Sequence, residues 1–326
     1  MKSKLVRIGS RGSDLALWQA RWVQGELLRL HPEYEVTIEV IKTTGDKILD
    51  APLSKIGDKG LFTREIETAL LAERIDLAVH SLKDLPTELP EGLAIGAVCR
   101  REDPRDVFIP HPSNSIRQLM AQPLGASIAT GSLRRKCQIA ALRPDLEIQD
   151  IRGNLGTRFR KLEASQWQGM ILARAGVLRL GWEDRIGETV EAEVILPAVG
   201  QGALGIEVRE GDADITGIVA GLTDVPTLQG TTAERALLRT LEGGCQVPIG
   251  AYGRIVRSLN GEEILQLDAM VGSLDGKTVV RGKIEGHSEE ASALGAQLAG
   301  RLLAEGADSI LRQIRSLQQD VNKLEA

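Results

Sequence analysis

The sequence predicts an α/β chain in which two similar lobes flank a cleft, followed by a small α+β domain with a three-stranded antiparallel sheet. Three observations lead there. One layout, strand then Gly-Ser turn then helix, occurs twice: Leu5-Val6-Arg7-Ile8 precedes Gly9-Ser10, and Ser127-Ile128-Ala129-Thr130 precedes Gly131-Ser132. Each copy has a second buried strand downstream, Ile75-Asp76-Leu77-Ala78-Val79-His80 and Gly169-Met170-Ile171-Leu172-Ala173, followed by a polar loop. Beyond about residue 222 the pattern changes to short strands punctuated by Asn260-Gly261 and Asp275-Gly276, both hairpin signals.

In chain order, Gly9-Ser10-Arg11-Gly12-Ser13-Asp14 opens a helix whose apolar positions Leu15, Trp18, Trp22 and Leu27 make both tryptophans core candidates. The strand ending at His80 runs into Ser81-Leu82-Lys83-Asp84-Leu85-Pro86, and the one ending at Ala173 into Arg174-Ala175-Gly176-Val177-Leu178-Arg179. Ligands of open α/β sheets bind beyond the carboxyl ends of the strands, where these loops fall. Two crossovers, Arg100-Arg101-Glu102-Asp103-Pro104-Arg105-Asp106 and Leu196-Pro197-Ala198-Val199-Gly200-Gln201-Gly202, divide the chain into a first lobe at 1–102 and 201–222, a second at 103–200 and a third domain at 223–326. Thr231-Thr232-Ala233-Glu234 has the pattern of a capping box starting a helix that reaches Leu241. Strands then follow at 252–256, 265–271 and 278–284, and Leu294, Leu298, Leu302, Ile310, Ile314 and Leu317 mark two closing amphipathic helices.

Composition narrows the function. With 326 residues and three scattered cysteines, the chain can bury sizeable cores and shows neither a disulfide framework nor a zinc knuckle. A net charge of −5 with 3% aromatics disfavours nucleic acid. No targeting segment and no apolar run of membrane-spanning length is visible, so a cytoplasmic location is expected. Arginine supplies 28 of the 40 cationic residues, and Arg134, Arg135, Arg143, Arg152, Arg158, Arg160, Arg174 and Arg179 crowd one segment. Guanidinium forks match carboxylate or phosphate. A small polyanionic ligand fits such a cluster, and the glycine- and hydroxyl-led helix starts would add anion-binding N–H groups.

The thiols differ. Cys99 ends an apolar run and Cys137 lies within a helix, so both read as packed residues, although the charges before Cys137 would favour its thiolate. Cys245 alone lies in a loop, Leu241-Glu242-Gly243-Gly244-Cys245-Gln246-Val247-Pro248-Ile249-Gly250, which suits either a buried hydrophobe in a tight turn or a thiol presented for covalent chemistry. His31, His80, His111 and His287 form no nucleophile motif, and His80 reads as structural. Asp84 is the candidate acid, with a surface pair to Lys83 as the competing reading. The loop Lys55-Ile56-Gly57-Asp58-Lys59-Gly60 is either a cleft lid or a solvated turn.

These residues resemble the porphobilinogen deaminase (hydroxymethylbilane synthase) family over nearly the whole chain. The matching motifs are Ile8-Gly9-Ser10-Arg11-Gly12-Ser13 with Leu15-Ala16-Leu17-Trp18-Gln19-Ala20, Lys59-Gly60-Leu61-Phe62, and Ala78-Val79-His80-Ser81-Leu82-Lys83-Asp84. Arg101-Glu102-Asp103-Pro104-Arg105-Asp106, Thr130-Gly131-Ser132-Leu133-Arg134-Arg135, Arg152-Gly153-Asn154 with Thr157-Arg158, the second crossover and the cysteine loop complete the match.

The resemblance implies stepwise deamination and head-to-tail joining of four porphobilinogen molecules on a dipyrromethane primer bound through a thioether to Cys245, and hydrolytic release of linear hydroxymethylbilane. It implies lobes like those of periplasmic binding proteins, a monomer, and no metal. It also implies that Asp84 meets pyrrole N–H groups and positive charge, with Arg11, Arg152 and Arg158 beside it in catalysis. Arg11, Ser13, Gln19, Arg152, Arg158, Arg179, Lys55 and Lys59 would bind substrate, and Lys83, Asp84, Thr130, Ser132, Arg134 and Arg135 the cofactor. Asp58 and Arg174 depart from the family pattern. A non-enzymatic two-lobed anion-binding module would use the same cleft but has no use for the cysteine loop, and a thiol hydrolase lacks a nearby base.

Overall fold

The computed structural model describes residues 4–47, 62–241, 247–258 and 260–324. Strand β1 (Lys4–Ser10) leads into α1 (Asp14–Leu30), where the Ser13 hydroxyl accepts a hydrogen bond from the Ala16 N–H and so caps the first turn. Then come β2 (Tyr34–Val40), α2 (Thr44–Lys47), α3 (Arg64–Leu71), β3 (Leu77–Ser81) and β4 (Leu93–Val98). The chain crosses to β5 (Asp106–Pro110), β6 (Ser127–Ala129), α4 (Leu133–Leu142), β7 (Glu147–Gln149), α5 (Leu155–Glu163), β8 (Gly169–Ala173), α6 (Arg174–Arg179) and β9 (Glu188–Val190), and returns to β10 (Leu204–Arg209) and α7 (Ala213–Ala220).

Two five-stranded sheets result, ordered β2-β1-β3-β10-β4 and β7-β6-β8-β5-β9. In each, four strands share one direction and the fourth position holds the one antiparallel strand, adjoining a crossover. β5 enters the second lobe and β10 re-enters the first, so the first lobe is complete only after the chain has visited the second. The crossovers lie against each other: Glu102 N–H donates to the Gly202 carbonyl at 3.2 Å. Gly202 has φ +91°, and a Cβ there would fall 2.4 Å from the Glu102 oxygen, so glycine is required for this approach.

The α1 stripe that meets the sheet is Ala16, Ala20, Val23 and Leu27. This corrects the tryptophan expectation. Trp22 is 37% exposed, and Trp18 is half-buried with the Arg179 guanidinium 5.7 Å from its ring.

The third unit comprises α8 (Val225–Thr240), β11 (Ile249–Arg257), β12 (Glu263–Gly272), β13 (Val279–Gly286), α9 (Ala291–Leu302) and α10 (Asp308–Leu324), with the sheet ordered β11-β12-β13. α8 starts earlier than the capping-box reading. Asp224 accepts from the Thr227 N–H and a proline occupies the first turn, while the Thr231 hydroxyl donates to the Thr227 carbonyl inside the helix. Both hairpins turn at the expected glycines, Gly261 (φ +83°) and Gly276 (φ +72°). Leu294, Leu298, Leu302, Ile310 and Ile314 enter the core, but Leu317 is 51% exposed because the helix has by then run past the sheet-facing cluster.

Cys99 lies in the first lobe's core and Cys137 packs with Leu196 and Met270 where the second lobe meets the third unit. Burial pushes their thiols up to about 12 and about 11, leaving both inert near neutrality.

Candidate functional site

Asp84 ends a 3-10 turn (Leu82–Asp84) that follows β3 directly. Leu82 (1% exposed) and Leu85 (5%) are buried on either side of it, so the turn is pinned from below while Asp84 projects. The Leu82 N–H donates to the Ala203 carbonyl of the second crossover at 3.0 Å. From the third unit, Arg235 on α8 donates to the Pro86 carbonyl at 2.6 Å and Arg239 to the Thr87 carbonyl at 3.0 Å. Three parts of the chain thus hold one turn.

Asp84 faces a cavity of ≈ 640 Å³ between the lobes. The first lobe contributes Arg11, Ser13, Lys42, Phe62, Ser81 and Lys83, and the second Arg135, Arg152, Arg158 and Arg179. Leu15, Leu155, Leu172 and Leu180 form apolar wall between them. Two helix starts reach it, α1 at Ser13 and α5 at Asn154, whose side chain accepts from the Thr157 N–H at 2.9 Å. Each adds the positive end of a helix dipole. A second cavity of ≈ 50 Å³, walled by Gln19, Thr63 and His80, shares Arg11, Ser13, Ser81 and Asp84 with the first. Gln19 Nε2 donates to Ser81 Oγ at 2.8 Å across its edge.

Positive charge is in excess here. Asp14 and Asp84 are the carboxylates among the described lining residues, against seven Arg and Lys side chains. Burial lowers the Arg158 guanidinium to about 10, helped by Arg135 and Arg152 and opposed by Asp84. Burial likewise pushes Lys83 down to about 8, with Asp84 resisting and Arg135 reinforcing. Arg152 and Arg179 are also lowered by burial. Cations desolvated this far gain most from an anionic ligand.

Of the expected site residues, Asp84, Lys83, Arg11, Ser13, Arg135, Arg152, Arg158 and Arg179 line the large cavity and Gln19 the small one. Thr130, Ser132 and Arg134 are not among the lining residues: Thr130 is buried, Ser132 caps α4, and Arg134 binds the Leu196 carbonyl. Lys55, Lys59 and Cys245 lie outside the described residues. Arg174 is also no part of the wall, since it pairs with Asp103 at 3.1 Å and donates to the Thr189 hydroxyl. Three contributors were not anticipated. Lys42 follows β2, at a strand's carboxyl end where a ligand residue is expected. Phe62 lies under Arg11, 4.2 Å from guanidinium carbon to ring centre. Asp106 binds the guanidinium groups of both Arg134 and Arg135.

The cleft is thus a cation-rich cavity between two lobes, with Asp84 projecting into it. The model of the porphobilinogen deaminase dipyrromethane cofactor-binding domain matches residues 6–217, and that of the porphobilinogen deaminase C-terminal domain residues 228–304. The chain belongs to the porphobilinogen deaminase family. It is 52% identical to the porphobilinogen deaminase of Carboxydothermus hydrogenoformans, over 97% of this chain and 98% of the relative. Identity to that of Chlorobaculum parvum is 53%, over 97% and 99%. Among solved structures, the periplasmic aliphatic sulphonate binding protein SsuA from Escherichia coli aligns over 98% of this chain and 86% of its own at 14% identity and a TM-score of 0.38.

The family's cofactor is a covalently attached dipyrromethane. Two pyrroles carrying acetates and propionates present four carboxylates and two N–H groups, which fits this donor set: guanidinium groups, two ammonium groups and helix N-termini, with Asp84 among the few acceptors.

Proposed function

We propose that the chain carries out its family's reaction in this cleft, with Asp84 as the group that meets the reacting pyrroles. The observation that carries the assignment is Asp84, held by three parts of the chain, facing a cavity walled by cations from both lobes.

Porphobilinogen brings a protonated aminomethyl group, an acetate and a propionate. Arg11, Ser13, Arg152, Arg158 and Arg179 bind the carboxylates and fix the ring beside Asp84, which accepts a hydrogen bond from the pyrrole N–H. As ammonia leaves, positive charge spreads over the ring, and the Asp84 carboxylate stabilises it at short range. The α-carbon of a neighbouring pyrrole then attacks. Asp84 is placed to take the proton released when that ring regains aromaticity. The cofactor, when bound, supplies a tethered first pyrrole with a free α-carbon. Lys83 and Arg135 would hold its carboxylates at the wall, and Arg134, Thr130 and Ser132 would support that end from behind. Cys245 is the proposed anchor, with Lys55 and Lys59 as further substrate contacts.

The described helices include none long and apolar enough to cross a membrane. A monomer acting in the cytoplasm, without nucleic acid or metal, is part of this proposal. Asp84→Asn removes the charge and keeps the shape. We expect turnover to fall at least about 100-fold, with circular dichroism and the mass of the loaded protein unchanged. Near-normal turnover in that variant would remove Asp84 from the chemistry.

A further inference from the structure

Behind the small cavity stands a buried cluster that the mechanism above does not use. His80 on β3 is 5% exposed, Glu207 on β10 0% and Glu67 on α3 7%. His80 Nε2 lies 3.0 Å from Glu207 Oε2. The antiparallel register sets His80 opposite Gly205 and Glu207 opposite Ala78, which places the two side chains diagonally on one face. Glu207 and Glu67 each keep one buried carboxylate oxygen without a hydrogen-bond partner among the described residues. Burial raises the Glu67 carboxyl, opposed by Thr63 and His80 and reinforced by Glu207. Among the described residues no group of three or more His, Cys, Asp or Glu is placed to hold a metal ion. His80 itself forms part of the wall of the cavity that Asp84 also lines.

We propose that His80, backed by Glu207 and Glu67, is a proton carrier that relieves Asp84 of the proton released at each condensation, through the small cavity. The idea rests on Asp84 being the group that meets the pyrroles. In one condensation the C–N bond breaks and its electron pair leaves on ammonia. A C–C bond forms from the attacking α-carbon, and the α-C–H bond then breaks, its electron pair restoring the aromatic ring. The proton goes to Asp84 and from there to the imidazole. Departing ammonia, as ammonium, or solvent takes it onward, so nothing is oxidised or reduced. His80 is a positioning and proton-carrying residue here, since it acts through Asp84. The charged groups of its cluster and its cavity are Glu67 and Arg64 from α3, Glu207 from β10, Asp84 from the turn after β3, and Arg11 from the segment before α1.

The test is an imidazole NMR titration of the full chain, cofactor-loaded and cofactor-free. The sequence holds four histidines, and His80→Gln assigns the signal. We expect the His80 ring to take up a proton within the pH range of turnover, as a carrier must. Glu207→Gln should lower its midpoint by about half a unit or more, because the carboxylate that favours imidazolium is gone. The acid limb of the kcat profile should move the same way and its plateau fall about tenfold, with KM unchanged. Glu67→Gln should shift the midpoint in the same sense, which keeps the proposal testable if His80→Gln does not fold. A ring that holds one protonation state from about pH 5 to 9, or a His80→Gln enzyme with the original plateau and profile, overturns it. Full turnover in Asp84→Asn would instead overturn the Asp84 reading, while the titration still reports on His80.

Discussion

Arg135 Nη2 lies 2.7 Å from Asp106 Oδ1, with both side chains sealed from solvent, while Arg134 Nη1 takes the other carboxylate oxygen at 2.9 Å. One carboxylate therefore neutralises half of a buried pair of cations, and Gln201 Nε2 of the second crossover adds a third contact to Asp106 at 2.8 Å. Asp106 begins β5, the strand that enters the second lobe. The pair fixes Arg135 at the cleft wall and leaves it a net positive partner for an anion.

Removing that carboxylate strands two buried guanidinium groups. Asp106→Asn should lower the unfolding free energy by about 3–5 kcal/mol, measured by urea denaturation at neutral pH. Burial alone would raise the Asp106 carboxyl, but the two arginines outweigh it and hold it well below the usual carboxylate range. Its folded value is depressed, so its contribution is present above the unfolded value and is lost as pH falls through the folded one. Stability should start to decline below about pH 5, with a shallower decline in Asp106→Asn.

Lys83 works in the other direction. Its folded value of about 8 lies below the unfolded one, so folding disfavours the ammonium and stability from this residue rises as pH climbs from about 8 to 10. The same titration removes a positive charge from the cleft wall, where Lys83 is proposed to hold the cofactor. Association of the cofactor with cofactor-free protein should therefore weaken as pH rises through 8, and Lys83→Arg, which stays charged, should abolish that dependence.

Arg235 ties the third unit to the turn that carries Asp84, through the Pro86 carbonyl at 2.6 Å and the Leu85 carbonyl at 3.4 Å. Arg235→Met keeps the buried stem but leaves those carbonyls unpaired, a cost of about 1–3 kcal/mol. Steady-state kinetics should show kcat falling more than KM changes, because Asp84, the proposed catalytic carboxylate, loses its rigid support while the arginines of the cleft wall are untouched.

Glu234, next to it on α8, joins all three units. It accepts from Arg101 at 2.5 Å, from the Gly200 N–H at 2.6 Å and from the Gly253 N–H at 2.8 Å, and it is fully buried. Glu234→Gln should destabilise the protein by about 3–5 kcal/mol and broaden thermal unfolding, seen by calorimetry, as the third unit comes loose from the crossovers.

Much of this was legible locally. The repeated strand, Gly-Ser turn and helix gave two lobes because each copy states its own periodicity and cap, and Ser13 and Ser132 do cap α1 and α4. Asp84 and the cleft arginines were legible because they follow strand ends or lie in specific motifs. What escaped depends on partners distant in sequence. That β5 and β10 run antiparallel at the fourth position of their sheets cannot be read from their apolar runs. Trp22 looked buried because helical spacing gives a stripe but not which of two adjacent stripes meets the sheet. Thr231 looked like a cap because its pattern is equally at home in mid-helix. That Arg134 meets Asp106 and the Leu196 carbonyl depends on partners that only the fold brings together.

The intact mass of the purified protein tests the deaminase assignment at its covalent anchor. It should exceed the sequence mass by one dipyrromethane, and Cys245→Ser should show the sequence mass alone and no turnover. Fully active protein with an unmodified Cys245 would contradict the assignment.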